Sequence, residues 1–349
     1  MNGRAMARVG RYLLGLAGAV AATGAIFGAF SEYWFYRLEG GPWQVELILT
    51  YGLFGYLFLL TLRLFQVRAF AGFFVAAGTF GFMVEGIPVP ALYLNLPFSM
   101  VWTSLAWHAL LTVSVGYCLY RRVMARSGPG PALALNALIG VALGVWNAYL
   151  WNVAEGPAPG GISFQWQPTG EFARQFLIGW GLFIGGHVLF DRFPPSANAP
   201  SRREFAAFLG LATLAFLLGV FAPFFPFSLV LPFLLLVSLA SLGAGAATVR
   251  NNWLAAFFAL RIAPGAYLFS LALPAMAIAT YALIAAARLE WETNVLAAAL
   301  TVPAAALYWL HALLRANRAG ASGQGGADRG GAGRGGAGRG GKRPEGAEQ

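Results

Sequence analysis

Ten runs of predominantly apolar residues follow one another along the 349-residue chain, separated by short polar breaks. A helix needs about 20 such residues to cross the hydrocarbon core of a bilayer. The runs fall near 11–31, 44–62, 69–87, 97–120, 132–153, 173–190, 204–222, 227–248, 265–286 and 294–314. Turn-forming pairs lie between several of them, as in Gly40-Gly41-Pro42, Gly128-Pro129-Gly130 and Pro194-Pro195. No soluble fold of this length can hide so many apolar runs from water. Charged residues make up 10% of the chain against about 25% for ordinary globular proteins. The expected fold class is therefore all-α, a polytopic integral membrane protein with about ten transmembrane helices over residues 1–318. A soluble enzyme, a nucleic-acid-binding domain and a disulfide scaffold are excluded as the main body.

The basic residues predict an orientation. Cytoplasmic loops carry an excess of Lys and Arg. If the N-terminus, with Arg4, Arg8 and Arg11, lies in the cytoplasm, 15 Arg fall inside and three (Arg37, Arg174, Arg288) outside. Asp191 and Glu204 then lie inside and eight Glu outside, so both termini are expected in the cytoplasm of a bacterial inner membrane. The basic start and small residues Ala17-Gly18-Ala19 also suit a cleavable signal peptide. The first apolar run is longer than a signal core, and a retained anchor is expected. The segment Asn251–Pro264, with Trp253, Phe257 and Phe258, reads as an interfacial helix lying in the membrane plane. From residue 319 to 349 the composition collapses to Gly, Ala and Arg, which predicts a disordered tail. That tail has no aromatic residue for stacking on bases, so no nucleic-acid partner is expected.

Ionisable residues inside a membrane are costly, and each is a candidate site residue. No charged residue lies between Glu204 and Arg250, whereas spans two to six hold most of the polar side chains. Spans three and five end in related patterns, Glu85-Gly86 before Pro88 and Pro90, and Glu155-Gly156 before Pro157 and Pro159. Each leads into a span with one His, His108 or His187, as an internal duplication would produce. With a rise of about 1.5 Å per residue, His108 lies roughly 16 Å below the outer surface and Asn147 roughly 12 Å below Glu155. Glu85, Glu155 and His108 are the candidate acid/base residues. Glu46, Thr103, Asn147, Trp151, Asn152 and Arg174 are the candidate substrate-binding residues of an outward-facing funnel that Glu171 also rims. The Trp146–Trp151 segment with Trp166 reads as an interfacial aromatic belt. Gly24/Gly28 and Gly140/Gly144 read as close-packing positions between helices.

The expected function is the handling of a small hydrophobic or amphipathic substrate, with the lipid bilayer as the one certain partner. Transport is favoured slightly. A second expectation is an intramembrane enzyme of lipid or isoprenoid (carotenoid-type) metabolism: a carboxylic acid protonates an alkene and aromatic faces stabilise the cation. A third is an accessory subunit, with His108 and His187 as haem ligands. No other cofactor is implied, and one cysteine, Cys118, leaves no thiolate metal site. Phe183, His187 and Asp191 resemble fragments of the intramembrane CAAX-type proteases, but the paired Glu-Glu of that family is missing and the family is set aside. The ten-span layout is similar to that of the drug/metabolite transporters, built from two inverted five-span halves. Residues 1–153 and 173–314 show no such internal likeness.

Overall fold

The computed structural model describes residues 3–37, 43–155, 162–193, 202–245 and 253–327. The helices are α1 (Gly3–Gly28), α2 (Trp43–Leu64), α3 (Phe70–Gly86), α4 (Tyr120–Arg126), α5 (Pro129–Leu150), α6 (Thr169–Arg192), α7 (Arg202–Phe216), α8 (Val230–Gly245), α9 (Trp253–Phe258), α10 (Ala272–Ala287) and α11 (Thr293–Ala327). A π-helical turn, Ala29–Tyr33, extends α1, and a 20-residue π-helix, Met100–Leu119, runs directly into α4. The described strands, β1 (Val153–Glu155) and β2 (Ile162–Phe164), form one antiparallel pair.

Among the described residues, seven helical stretches are long and apolar enough to cross a membrane: Val9–Tyr33, Val45–Leu64, Pro129–Leu150, Arg202–Phe221, Phe227–Ala244, Pro264–Ala287 and Thr293–Arg315. The chain is a helical membrane protein. The other three expected spans correspond to the short apolar helix α3, to the helix over 100–126 and to α6. Those last two are long enough but carry polar side chains, of which His108, Arg121, Gln175 and His187 are buried and Asp191 half-buried within the protein. α7, α8, α10 and α11 turn large apolar side chains outward; Leu211 is 63% and Leu283 72% exposed. Such a surface is stable only against hydrocarbon.

Close backbone approach holds the bundle together. A Cβ at Gly24 would stand 2.1 Å from the carbonyl oxygen of Ile48, and one at Gly52 2.5 Å from that of Val20, so α1 and α2 meet through glycine. At Gly140 and Gly144 the corresponding distances to the carbonyls of Leu273 and Ala277 are 2.4 and 2.6 Å, joining α5 to α10. Gly28 has ordinary room, 3.6 Å to Leu47. Small residues permit this approach where lipid supplies no hydrophobic drive between helices. Gly144→Ala is therefore expected to destabilise the detergent-solubilised protein by about 1–3 kcal/mol, the usual range for overpacking. Gly181→Ala, with no atom within 4 Å of the added carbon, is expected to leave it unchanged or slightly more stable. Thermal unfolding of the two variants checks the pair.

Several local expectations change. Residues 251–252 and the side chain of Trp253 lie outside the described residues; the rest of the segment carries the short α9, with Leu254, Phe257 and Phe258 buried. Phe257 meets Phe73 and Tyr117, so its ring packs on protein. Trp146, read from the sequence as part of an aromatic belt, packs its ring on Phe35, Trp102 and Trp107, and its indole N–H donates to Asn294. The first Glu-Gly-Pro connection leads to a 3₁₀ turn, Pro90–Tyr93; of the second, Glu155 pairs with Ile162, and residues 156–161 lie outside the described residues, as does the comparison that the expected duplication needs. Helix α11 runs to Ala327, past residue 318, and residues 328–349 lie outside the described residues.

Candidate functional site

Four segments bring polar side chains to one point inside the bundle. The π-turn supplies Ser31 and Glu32, α2 supplies Tyr51, α3 supplies Glu85 one residue before its end, and the π-helix supplies His108 and Thr112. A π-helix bonds backbone groups five residues apart, a wide turn often found at functional positions. Here the hydroxyls of Thr112 and Ser114 donate to the carbonyls of Trp107 and Ala109, each five residues back. The indole N–H of Trp107 donates to the carbonyl of Ser31 and ties the π-helix to the π-turn at 2.9 Å. Gly81 lets α3 approach closely: a Cβ there would stand 2.1 Å from the carbonyl oxygen of Ser104 and 3.1 Å from the Cβ of His108.

His108 is fully buried, and both ring nitrogens are engaged. Nε2 lies 2.6 Å from Glu85 Oε1 and Nδ1 lies 3.2 Å from Ser31 Oγ. Ser31 Oγ is in turn 2.8 Å from Thr112 Oγ1. Tyr51 and Phe80 flank the imidazole, with ring centroids 5.8 and 5.9 Å away. Beside this group the hydroxyl of Tyr51 donates to Glu32 Oε1 at 2.5 Å. The ligand atoms of Glu32, Glu85 and His108 all lie within 4.8 Å of one another.

Counting donors assigns the protons. Each hydroxyl has one hydrogen. Thr112 donates its hydrogen to the carbonyl of Trp107, so the Ser31–Thr112 contact needs the hydrogen of Ser31. Ser31 Oγ is then an acceptor toward the ring, and Nδ1 of His108 carries a hydrogen. The contact between Nε2 and Glu85 consequently holds one proton, placed either on the ring as an ion pair or on the carboxyl as a neutral pair. The pair can exchange that proton without moving a heavy atom. Burial makes this setting sensitive, because an unpaired charge here would be strongly penalised.

The same three residues could ligate a metal through two carboxylates and one imidazole. Two ligands on one tetrahedral zinc ion, at about 2.0–2.1 Å each, stand roughly 3.3 Å apart. The 2.6 Å separation of Nε2 and Oε1 is a hydrogen-bond distance, so the present arrangement fits a shared proton rather than an ion.

The remaining sequence candidates lie elsewhere. Glu46 and Arg174 are exposed, and so is Glu171. Thr103 donates to the carbonyl of Ser99 within its own helix. Trp151 is buried and its indole N–H donates to the carbonyl of Trp34. Asn152 holds the hairpin: Oδ1 accepts the backbone N–H of Gln167 and the hydroxyl of Tyr281. Asn147 is fully buried with neither amide atom hydrogen-bonded. The backbone of Glu155 pairs with Ile162, and its side chain lies outside the described residues. Among the described side chains of the expected rim, Glu85 alone reaches His108. His187 belongs to a different network, with Nδ1 facing Arg121 and its ring stacked on Tyr120, so the expected bis-histidine pairing with His108 has no geometric basis.

Sequence reasoning missed Ser31, Glu32, Tyr51 and Thr112. A carboxylate directly at the end of an apolar run and a Tyr inside one were the available signals.

Against the same two segments lies a small, almost wholly apolar cleft of about 100 Å³. Its walls include Phe30 and Phe35, which bracket Ser31 and Glu32, with Trp107, Leu111 and Trp146. The chain matches no protein-family model, and no curated protein sequence or solved structure is similar to it.

Proposed function

We propose that this protein is an intramembrane acid–base catalyst acting on a small hydrophobic substrate of the lipid or isoprenoid (carotenoid-type) class, with Glu85 and His108 exchanging the proton. The observation that carries this reading is the buried 2.6 Å contact between Glu85 and His108. Glu32, held by Tyr51, is the second carboxylate and takes or returns the proton. General acid–base catalysis needs a donor and an acceptor of matched strength, kept from water. The aromatic cleft beside the cluster supports a substrate with an unsaturated chain, since ring faces stabilise developing positive charge. Protein expressed as the full chain and as Glu85→Gln provides the test, by mass spectrometry of hydrophobic extracts. A compound that shifts in amount or gains the mass of water only with the wild type is expected; identical extracts overturn the reading.

Proton-coupled transport is the second reading, favoured by the same proton placed inside a helical bundle. It requires substrate flux driven by a pH gradient in vesicles, which the enzyme reading does not.

The proposed arrangement has ten spans, both termini on the cytoplasmic side of a bacterial inner membrane and a solvated tail after α11. Because Cys118 is buried, introduced cysteines can be labelled selectively. Leu94→Cys is expected to react with an impermeant maleimide from outside, and Ser127→Cys only after permeabilisation. The reverse pattern would invert the topology.

A further inference from the structure

A charged recess lies at the other end of the bundle, where the chain turns from α2 into α3 and meets α9 and the segment after it. It has a volume of about 790 Å³, and Arg63, Arg68 and Arg261 line it together with Gln66. Apolar side chains, among them Val67 and Phe258, form the rest of the wall, and none of the lining residues is acidic. The volume falls within the range of small-molecule sites, roughly 300–1,000 Å³.

The three guanidinium groups are brought together by specific backbone geometry. Gln66 adopts a left-handed conformation at φ 47, an uncommon one for a residue with a side chain. Backbone bonds from Gln66 to Arg63 and from Val67 to Leu62 close the turn, and the Arg68 guanidinium donates to Gln66 Oε1 at 3.4 Å. Arg261 is tethered from the opposite side, with Nη1 donating to the carbonyls of Phe258 and Leu260 at 3.0 and 2.8 Å. Glu204 acts on Arg63 from outside the recess, and its Oε1 accepts the hydroxyls of Tyr12 and Tyr56.

A recess lined by three basic side chains and by apolar ones, on the Arg-rich end of a membrane protein, matches an amphiphile whose polar end is a phosphate. Basic pockets between membrane helices on the cytoplasmic side bind anionic headgroups in this way. We propose that this recess binds one anionic phospholipid: its phosphate sits among Arg63, Arg68 and Arg261, and its upper chains lie against Val67 and Phe258. This assignment is independent of the acid–base reading, because no residue is shared between the two sites.

Native mass spectrometry of the full chain in detergent tests it, with phosphatidylglycerol, phosphatidylcholine of the same chain length, and inorganic phosphate as probes. Retention of one phosphatidylglycerol and no phosphatidylcholine is expected. Arg68→Gln and Arg261→Gln should each weaken that retention about five-fold, the value of one basic residue near an anionic surface. Arg122→Gln with Arg126→Gln, two exposed arginines outside the recess, should change nothing. Equal retention of phosphatidylcholine overturns the proposal. Undiminished binding in the Arg68/Arg261 double variant does so as well, as does equal loss in the Arg122/Arg126 control. Full competition by equimolar inorganic phosphate assigns the recess to a soluble phosphate compound and overturns the lipid.

Discussion

Arg121→Ala is expected to destabilise the solubilised protein by about 3–5 kcal/mol, the cost of removing one partner from a buried ion pair. Arg121 lies near the C-terminal end of the helix over 100–126 and is fully buried. Its Nη2 donates to Asp191 Oδ1 at 2.5 Å and to the carbonyl of Leu260 at 3.2 Å, and Nη1 donates to the carbonyl of His187 at 3.3 Å. The guanidinium also stands over the ring of Phe190, 4.5 Å from its centroid. One side chain thus joins α4, α6 and the segment after α9. The opposite oxygen of Asp191 accepts the backbone N–H of Ile262 and the hydroxyl of Tyr267, both at 3.2 Å. Without Arg121 the carboxylate keeps two neutral donors and loses its counter-charge. Arg121→Lys should recover little, since an ammonium cannot reproduce the planar fork that spans three acceptors. Removing Asp191 in addition should cost less than the sum of the two single changes, because both act through one network. Denaturant or thermal unfolding measures all three variants. A loss below about 1 kcal/mol for Arg121→Ala would show that the network does not hold the bundle.

The helices were legible in the chain because a bilayer imposes one length on every span. The expected run 69–87 is α3, 173–190 lies within α6, and 204–222 follows the helix Arg202–Phe221 closely. Glycine pairs were legible for the same reason, since Gly140 and Gly144 lie four residues apart on one face. Their partners on α10 were not, because periodicity names a face and not what it meets. The site was half legible. Glu85 and His108 stood out as ionisable residues in apolar surroundings. Glu46 and Arg174 stood out equally by depth, yet both are exposed, because depth along a helix says nothing of rotation about it. Glu32 and Ser31 depend on a π-turn that prolongs α1 beyond its apolar run, and a π-helix has no periodic signature of its own. The contacts that complete the cluster cross 77 and 81 positions, from Ser31 to His108 and to Thr112. Only the packing of α1 against the π-helix brings them together.

Glu85→Gln is expected to lower turnover by about 10²–10⁴-fold while leaving unfolding close to that of the wild type, and His108→Ala is expected to lose both. The two variants differ because of what each leaves behind. Gln keeps the shape of Glu85, and its side-chain amide N–H can donate to Nε2 of the neutral His108 ring, so no buried group is orphaned. What it cannot do is take up or release the proton held in the 2.6 Å contact. Ala at 108 removes the ring that Glu85, Ser31, Tyr51 and Phe80 surround, leaving a cavity and a buried carboxyl group without its partner. Ser31→Ala should fall between them. It withdraws the acceptor of the Nδ1 hydrogen and frees the ring to change tautomer, so turnover should fall by less than for Glu85→Gln. Tyr51→Phe removes the donor to Glu32 and reports on the second carboxylate alone. Turnover is read from the compound that differs between hydrophobic extracts, and stability from unfolding of the same preparations. A cluster that only holds helices together predicts the opposite split: Glu85→Gln would lose stability in step with any loss of turnover. Wild-type turnover in Glu85→Gln would remove the proton from the mechanism altogether.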